Sequence, residues 1–247
     1  VVGTSGVLDE PDRRVEAILL SVEVDERQGG VNIELSPSLA AALVSSLEIV
    51  NNPENWLTCP HAVADQLLPN VATMQAYQQL AIPEFTQADR LDALIVDGIT
   101  DLETSQKHDG GWGWCYSEES DPFLSGYVLF ALAMALDAGY DIDRDVIVDG
   151  AMYVQDQIVD AADLALSSEI NRQAFFLYVL AELGQAQSTD LDALFTEHRA
   201  LLDPYAKALL AMALAHDGSD SKVQSLLADL NDSVVLSSAG GPWQRAL

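Results

Sequence analysis

The sequence predicts a mainly α protein: helical hairpins stacked into an α/α toroid, preceded by a short β segment. Three observations carry this. Apolar residues recur at helical spacing, as in Leu129, Leu132, Ala133 and Leu136, and again in Phe176, Leu177, Leu180 and Leu183. Breakers such as Asp109-Gly110-Gly111, Ala138-Gly139-Tyr140, Gly184, Asp203-Pro204 and Asp217-Gly218 cut that pattern into helix-sized pieces. The pieces are joined by short loops, which favour antiparallel neighbours.

The elements follow in order. Val15 to Val22 is apolar, and Val31-Asn32-Ile33-Glu34-Leu35 alternates with period two, so both read as strands around the turn Asp25–Gly30. Two strands cannot bury a face alone, so residues 1–36 read as the remnant of a flanking β-domain. Ser36 ahead of Pro37 begins the helical part, residues 37–247, because proline at a helix's first turn gives up an N–H that has no partner there. Helices are expected at about 38–50, 61–80, 87–106, 122–138, 143–160, 167–184, 189–200, 203–216 and 219–231, with Asp143 as an N-cap. About nine helices are fewer than six hairpins need, so the ring is expected to be incomplete at the C-terminal end.

Charge narrows the function. Thirty-nine acidic residues against 11 basic give the 247-residue chain a net charge of −28, a field that repels phosphate backbones and excludes nucleic acid as a partner. Acidic outer helix faces that keep a 49% hydrophobic chain soluble account for the excess, and a salt-adapted or thermophilic source fits it equally. No apolar run is long enough to span a bilayer, so membrane association is expected only through an anchor outside this chain. The start at Val1 and the stop soon after Trp243 read as cuts through a longer protein.

One stretch carries chemistry. Cys59-Pro60-His61-Ala62 leads into a helix that contains Leu68-Pro69-Asn70-Val71. Further on come Asp109-Gly110-Gly111-Trp112-Gly113-Trp114, then Asp121-Pro122-Phe123-Leu124-Ser125-Gly126-Tyr127, then Ala138-Gly139-Tyr140-Asp141-Ile142-Asp143. With Leu35-Ser36-Pro37-Ser38 ahead of them, these segments resemble, in order, the thioester domain of the bacterial α2-macroglobulin family. In that family a Cys-x-Glu-Gln run closes a thioester between the Cys sulfur and the Gln acyl carbon. His61 and Ala62 stand at the Glu and Gln positions here, and Ala62 has no acyl carbon to give. Gln66 is seven residues from Cys59, roughly 10 Å along a helix, which is too far.

The resemblance implies a terpenoid cyclase-like toroid next to a CUB-type β-domain, within an extracytoplasmic protease-trapping (endopeptidase inhibitor) protein. It implies no enzyme activity and no cofactor, with proteases and neighbouring β-sandwich domains of the same protein as partners, and a periplasmic, cell-surface or secreted location. The thioester-motif remnant is Cys59, His61 and Ala62. The helix after Cys59 runs away from it and the next runs back, so the loop 108–121 belongs at the same end as Cys59. Trp112, Trp114 and Tyr116 are candidates for an aromatic cover over the motif. Cys59 and Cys115 either remain reduced, part-buried thiols, the preferred reading, or form a disulfide. His61 is read as a solvated loop residue rather than an activator of the thiol.

Other constellations are weaker. His61, His108, His198 and His216 have no metal-site spacing, so no metal is expected. Two alternatives stay open: a toroid enzyme of the terpenoid cyclase or glycan-hydrolase type, the hydrolase needing paired carboxylates in a central cavity, and a helical protein-interaction scaffold.

Overall fold

The computed structural model describes residue 51, residues 59–79 and residues 88–233. The strands expected within residues 1–36 and the helix expected at 38–50 lie outside the described residues. The chain divides into two units, Val1–Ala42 and Leu43–Leu247, and every described residue lies in the second.

Among the described residues the fold is all α. The helices are α1 (Pro60–Gln79), α2 (Ala88–Ser105), α3 (Pro122–Asp137), α4 (Arg144–Gln155), α5 (Ser167–Glu182), α6 (Ser188–His198), α7 (Pro204–His216) and α8 (Asp220–Ser233), with a 3-10 turn at Ala161–Asp163. Each odd helix packs on the even helix that follows it, so the chain folds as four consecutive hairpins. The odd helices also pack on one another in sequence, α1 on α3, α3 on α5 and α5 on α7. This is an arc of two layers, with odd helices forming one and even helices the other.

Burial separates the layers. Of the 16 residues of α5, ten are buried, from Ile170 to Ala181, whereas α8 buries only Leu226. The central odd helices, α3 and α5, are therefore buried on most sides and the even ones on a stripe, as expected for helices covered on several faces against helices with one face in water. Leu129, Leu132, Phe176, Leu177 and Leu180, all picked out by their spacing, are fully buried, whereas Leu136 of the same stripe is exposed in the last turn of α3.

The hairpin turns repeat one device. Gly139, Gly184 and Gly218 end α3, α5 and α7 with φ of +90°, +66° and +76°. In each, the residue after the glycine donates its N–H to a carbonyl five residues back: Tyr140 to Ala135, Gln185 to Leu180, Ser219 to Leu214. A left-handed residue there satisfies carbonyls that the helix end leaves open, and glycine adopts it without a Cβ clash.

Two helix starts are capped by aspartate side chains, Asp143 as its sequence signal predicts. Asp121 accepts from the Leu124 N–H at 2.8 Å ahead of Pro122, and Asp143 accepts from the Asp145 N–H at 2.9 Å. One helix is shorter than the pattern suggests. α4 ends at Gln155, not near 160, because the Gln173 side chain of α5 binds the Val159 peptide from both sides, accepting its N–H at 3.1 Å and donating to its carbonyl at 2.8 Å. That pairing holds Val159 out of the helix.

Candidate functional site: the start of α1 and the α2–α3 loop

Cys59 stands immediately before α1, and its carbonyl accepts the first helical hydrogen bond, from Val63 N–H at 3.0 Å. It is thus the N-cap, with Pro60, His61 and Ala62 at the first three helical positions. An N-cap side chain reaches the third helical position, the contact used in a capping box. A sulfur at 59 and an acyl side chain at 62 are therefore natural neighbours. Ala62 ends at its Cβ and leaves that contact unmade.

The helix below is fixed by the Leu68-Pro69-Asn70-Val71 run. Pro69 has no N–H to offer the carbonyl of Asp65. Asn70 is 1% exposed and Asn51 4% exposed, and their side-chain amides exchange two hydrogen bonds of 2.8 and 3.1 Å. A buried amide unpaired on either side would cost about 1–3 kcal/mol, so this pair fixes the α1 position against the chain that precedes it. Asp65, one turn in, accepts from the Tyr127 hydroxyl of α3 at 2.7 Å. Burial, reinforced by that carboxylate, pushes the Tyr127 hydroxyl well above its ordinary pKa.

The α2–α3 loop is held by its own polar groups. Gln106 donates to the Gly110 and Val146 carbonyls, each at 2.9 Å, and Lys107 donates to the Ser117 carbonyl at 2.8 Å. Asp109 accepts from Gly111 N–H at 3.1 Å and from Ser120 at 2.8 Å. Burial raises its pKa, but the Ser120 and Gly111 hydrogen bonds outweigh that and hold it below the usual carboxylate value. Gly110 has φ +84°, and a Cβ there would stand 2.4 Å from the Asp149 carbonyl oxygen. Only glycine fits both constraints.

The loop meets the motif at one covalent point. Cys59 and Cys115 are joined by a disulfide, with Cα atoms 5.1 Å apart, and neither thiol is free. The preference for two reduced thiols is corrected: the α2–α3 loop carries Cys115 back over the start of α1, within bridging reach of Cys59. Cys115 lies in a tight turn closed by Ser117 N–H to the Trp114 carbonyl at 2.9 Å, and Tyr116 in that turn has φ +62°.

The three aromatic residues proposed as a cover separate. Trp112 is fully buried: its indole N–H donates to the Leu102 carbonyl at 2.8 Å, its backbone N–H donates to Ser125 at 2.8 Å, and its ring lies against Gly150. It is a core residue that anchors the loop. Tyr116 is fully exposed. Trp114, half exposed, packs on His61, with ring centroids 5.3 Å apart. His61 is helical and partly buried, not a solvated loop residue, and its Nδ1 is buried without a hydrogen-bond partner. Sequence spacing could not reveal this, because the burial comes from the loop folding over the helix start.

Cys59, His61 and Cys115 bring one donor atom each within 4.8 Å of one another. A metal needs thiolates, and the bridge takes up both sulfurs. The buried polar residues among those described are Asn51, Asn70, Ser125, Asn171 and Gln173. None of these five is a carboxylate. A shallow recess of about 140 Å³ between α4 and the α5–α6 connection is lined by Val148, Ala151, Met152, Gln155, Gln185 and Gln187, again without a carboxylate. No helix among the described residues is long and apolar enough to cross a membrane.

Comparison with known proteins places this geometry. No family model matches the chain. In sequence it is 36% identical over 69 residues to an α2-macroglobulin of Thermotoga maritima, a stretch covering 28% of this chain and 4% of that protein. In structure it is similar to the native conformation of Escherichia coli α2-macroglobulin, with TM-score 0.62 and 23% identity over 81% of this chain and 13% of that one. It is likewise similar to a Salmonella α2-macroglobulin reacted with methylamine, with TM-score 0.62 and 19% identity over 83% and 14%. The chain spans a small part of the length of these relatives. The sequence resemblance to the bacterial α2-macroglobulins thus holds in both comparisons, and the helical arc shares the fold of part of those proteins.

Proposed function

We propose that this chain is the thioester-type domain of a bacterial α2-macroglobulin-like protease trap that engages proteases without forming an amide bond to them. The observation that carries the reading is the identity of residue 62. Cys59 at the N-cap and Ala62 at the third helical position hold the places of the family's thioester Cys and Gln, and Ala62 supplies no acyl group. A lysine amine arriving at this helix end meets no activated carbonyl. The domain then contributes shape: a helical arc that docks against a protease and against neighbouring β-sandwich domains. Such a protein works outside the cytoplasm, where the bridge between Cys59 and Cys115 persists.

Methylamine tests the chemistry. Native protein incubated with it gains no mass and releases no thiol. A protein that gains one methylamine contradicts the reading. Elastase tests the trap. The full-length protein is expected to shield elastase from a large protein inhibitor while leaving cleavage of small substrates intact, and denaturation releases the elastase at its own mass. Elastase that stays linked after denaturation, or that is never shielded, overturns the proposal. The triple substitution His61→Glu, Ala62→Gln and Cys115→Ser restores the missing acyl group and frees Cys59. It is expected to yield a masked thiol that methylamine exposes.

A further inference from the structure

We propose that the Cys59–Cys115 bridge is an exchangeable disulfide through which the protein takes up a thiol, the incoming sulfur bonding to Cys115 while Cys59 leaves as a thiolate. The inference goes beyond the non-covalent reading and stands on the bridge and its surroundings alone. It begins from an asymmetry between the two sulfurs. Cys59 is buried at 9% exposure in the N-cap of α1. Cys115 is only partly buried, in a turn whose flanking side chains are the half-exposed Trp114 and the fully exposed Tyr116. A nucleophile from solvent reaches Cys115 first.

The leaving side is built for a negative sulfur. The helix start presents the N–H groups of His61 and Ala62 toward the N-cap side chain, and the helix dipole favours an anion there. A nitrogen of the His61 ring lies within 4.8 Å of both sulfurs. Its Nδ1 is buried and has no partner while the bridge is closed. Helix N-terminal N–H groups and a neighbouring histidine favour a sulfur anion, and a disulfide cleaves faster when the departing sulfur is better stabilised as one. Trp114, packed at a tilt on His61, holds the ring at the bridge.

The step balances as an exchange. A thiolate R–S⁻ attacks the Cys115 sulfur, the Cys59–Cys115 bond breaks, an R–S–S–Cys115 bond forms, and the electron pair of the old bond stays on Cys59. His61, when protonated, pairs with that thiolate or passes it a proton. The co-reactant is a thiol, and no other oxidant or reductant enters. The helix start thus keeps the leaving group of a thioester and offers sulfur as the electrophile in place of carbon. This selects thiols over amines.

Two sources share this chemistry, a small-molecule thiol and the active-site cysteine of a protease, and two probes separate them. The native protein is incubated with reduced glutathione or with activated papain, quenched at intervals with acid, alkylated and mapped by peptide mass. Glutathione is expected on Cys115 with the alkylating group on Cys59. Papain is expected to give a one-to-one complex that dithiothreitol dissolves. Reaction with glutathione alone assigns the site to small thiols. An adduct on Cys59, or adducts formed only after unfolding, overturns the proposal. His61→Phe is expected to slow exchange roughly tenfold and to raise the Cys59 thiol pKa in a Cys115→Ala background. The oxidised His61→Phe protein melts as the parent does, which separates this effect from a packing defect. An unchanged rate and pKa would overturn the role of His61. Elastase, which attacks with a serine, is blind to the exchange, so trapping and exchange fail independently.

Discussion

Replacing Cys59 and Cys115 together with alanine removes a crosslink between positions 56 residues apart. Closing a loop of that length restricts the unfolded chain by about 4 kcal/mol in the chain-entropy treatment. Residual structure in the unfolded ensemble lowers this to about 3 kcal/mol. The enclosed segment contains α1, α2 and most of the α2–α3 loop, whose packing the substitution leaves in place. For a domain of this size 1 kcal/mol moves Tm by roughly 2–4 °C, so the variant is expected to melt about 6–12 °C lower. Calorimetry or circular dichroism melts of the oxidised protein, the dithiothreitol-reduced protein and the double variant supply the comparison. The last two are expected to coincide. A drop below about 2 °C, or two titratable thiols in the native oxidised protein, would refute the reasoning.

Three further outcomes follow from described contacts. Asn51→Leu and Asn70→Leu are each expected to cost about 1–3 kcal/mol by stranding the other amide, while the double variant costs less than their sum; urea denaturation of all four proteins reads this coupling. Gly110→Ala places a Cβ 2.4 Å from the Asp149 carbonyl oxygen at a φ of +84°, and its urea midpoint is expected to report a loss of about 2–4 kcal/mol. Asp229 accepts two hydrogen bonds of 2.7 Å from Arg199, with Lys207 at 3.9 Å. The Arg199 hydrogen bonds, against an opposing effect of burial, hold its pKa below the usual carboxylate value. A depressed folded-state pKa means its stabilisation is complete above the unfolded value of about 4 and fades as pH falls through the folded one. Asp229→Asn is therefore expected to flatten the acid limb of the stability–pH curve, measured by urea midpoints.

Much of the arc was legible in local signals. Asp143 and Asp203-Pro204 mark starts, and Gly139, Gly184 and Gly218 mark ends, because caps and left-handed residues act within one turn of the chain. What escaped was decided by distant partners. Gln173 ends α4 early by binding Val159, 14 residues away. Two tryptophans with a single glycine between them look alike in sequence. Trp112 turns into the core because Leu102 and Ser125 satisfy its N–H groups, and Trp114 faces out onto His61. Helix direction could bring Cys59 and Cys115 to one end of the fold, but the 5.1 Å between their Cα atoms depends on the shape of the loop.

The bridge also sets the route of mechanical load. Tension entering from the N-terminal side reaches residue 59 and crosses through sulfur to residue 115, so the 55 residues between them carry none of it. A pull that unravels the later hairpins leaves the first as a slack, folded by-pass. Only a reductant puts it back in series with the rest of the chain.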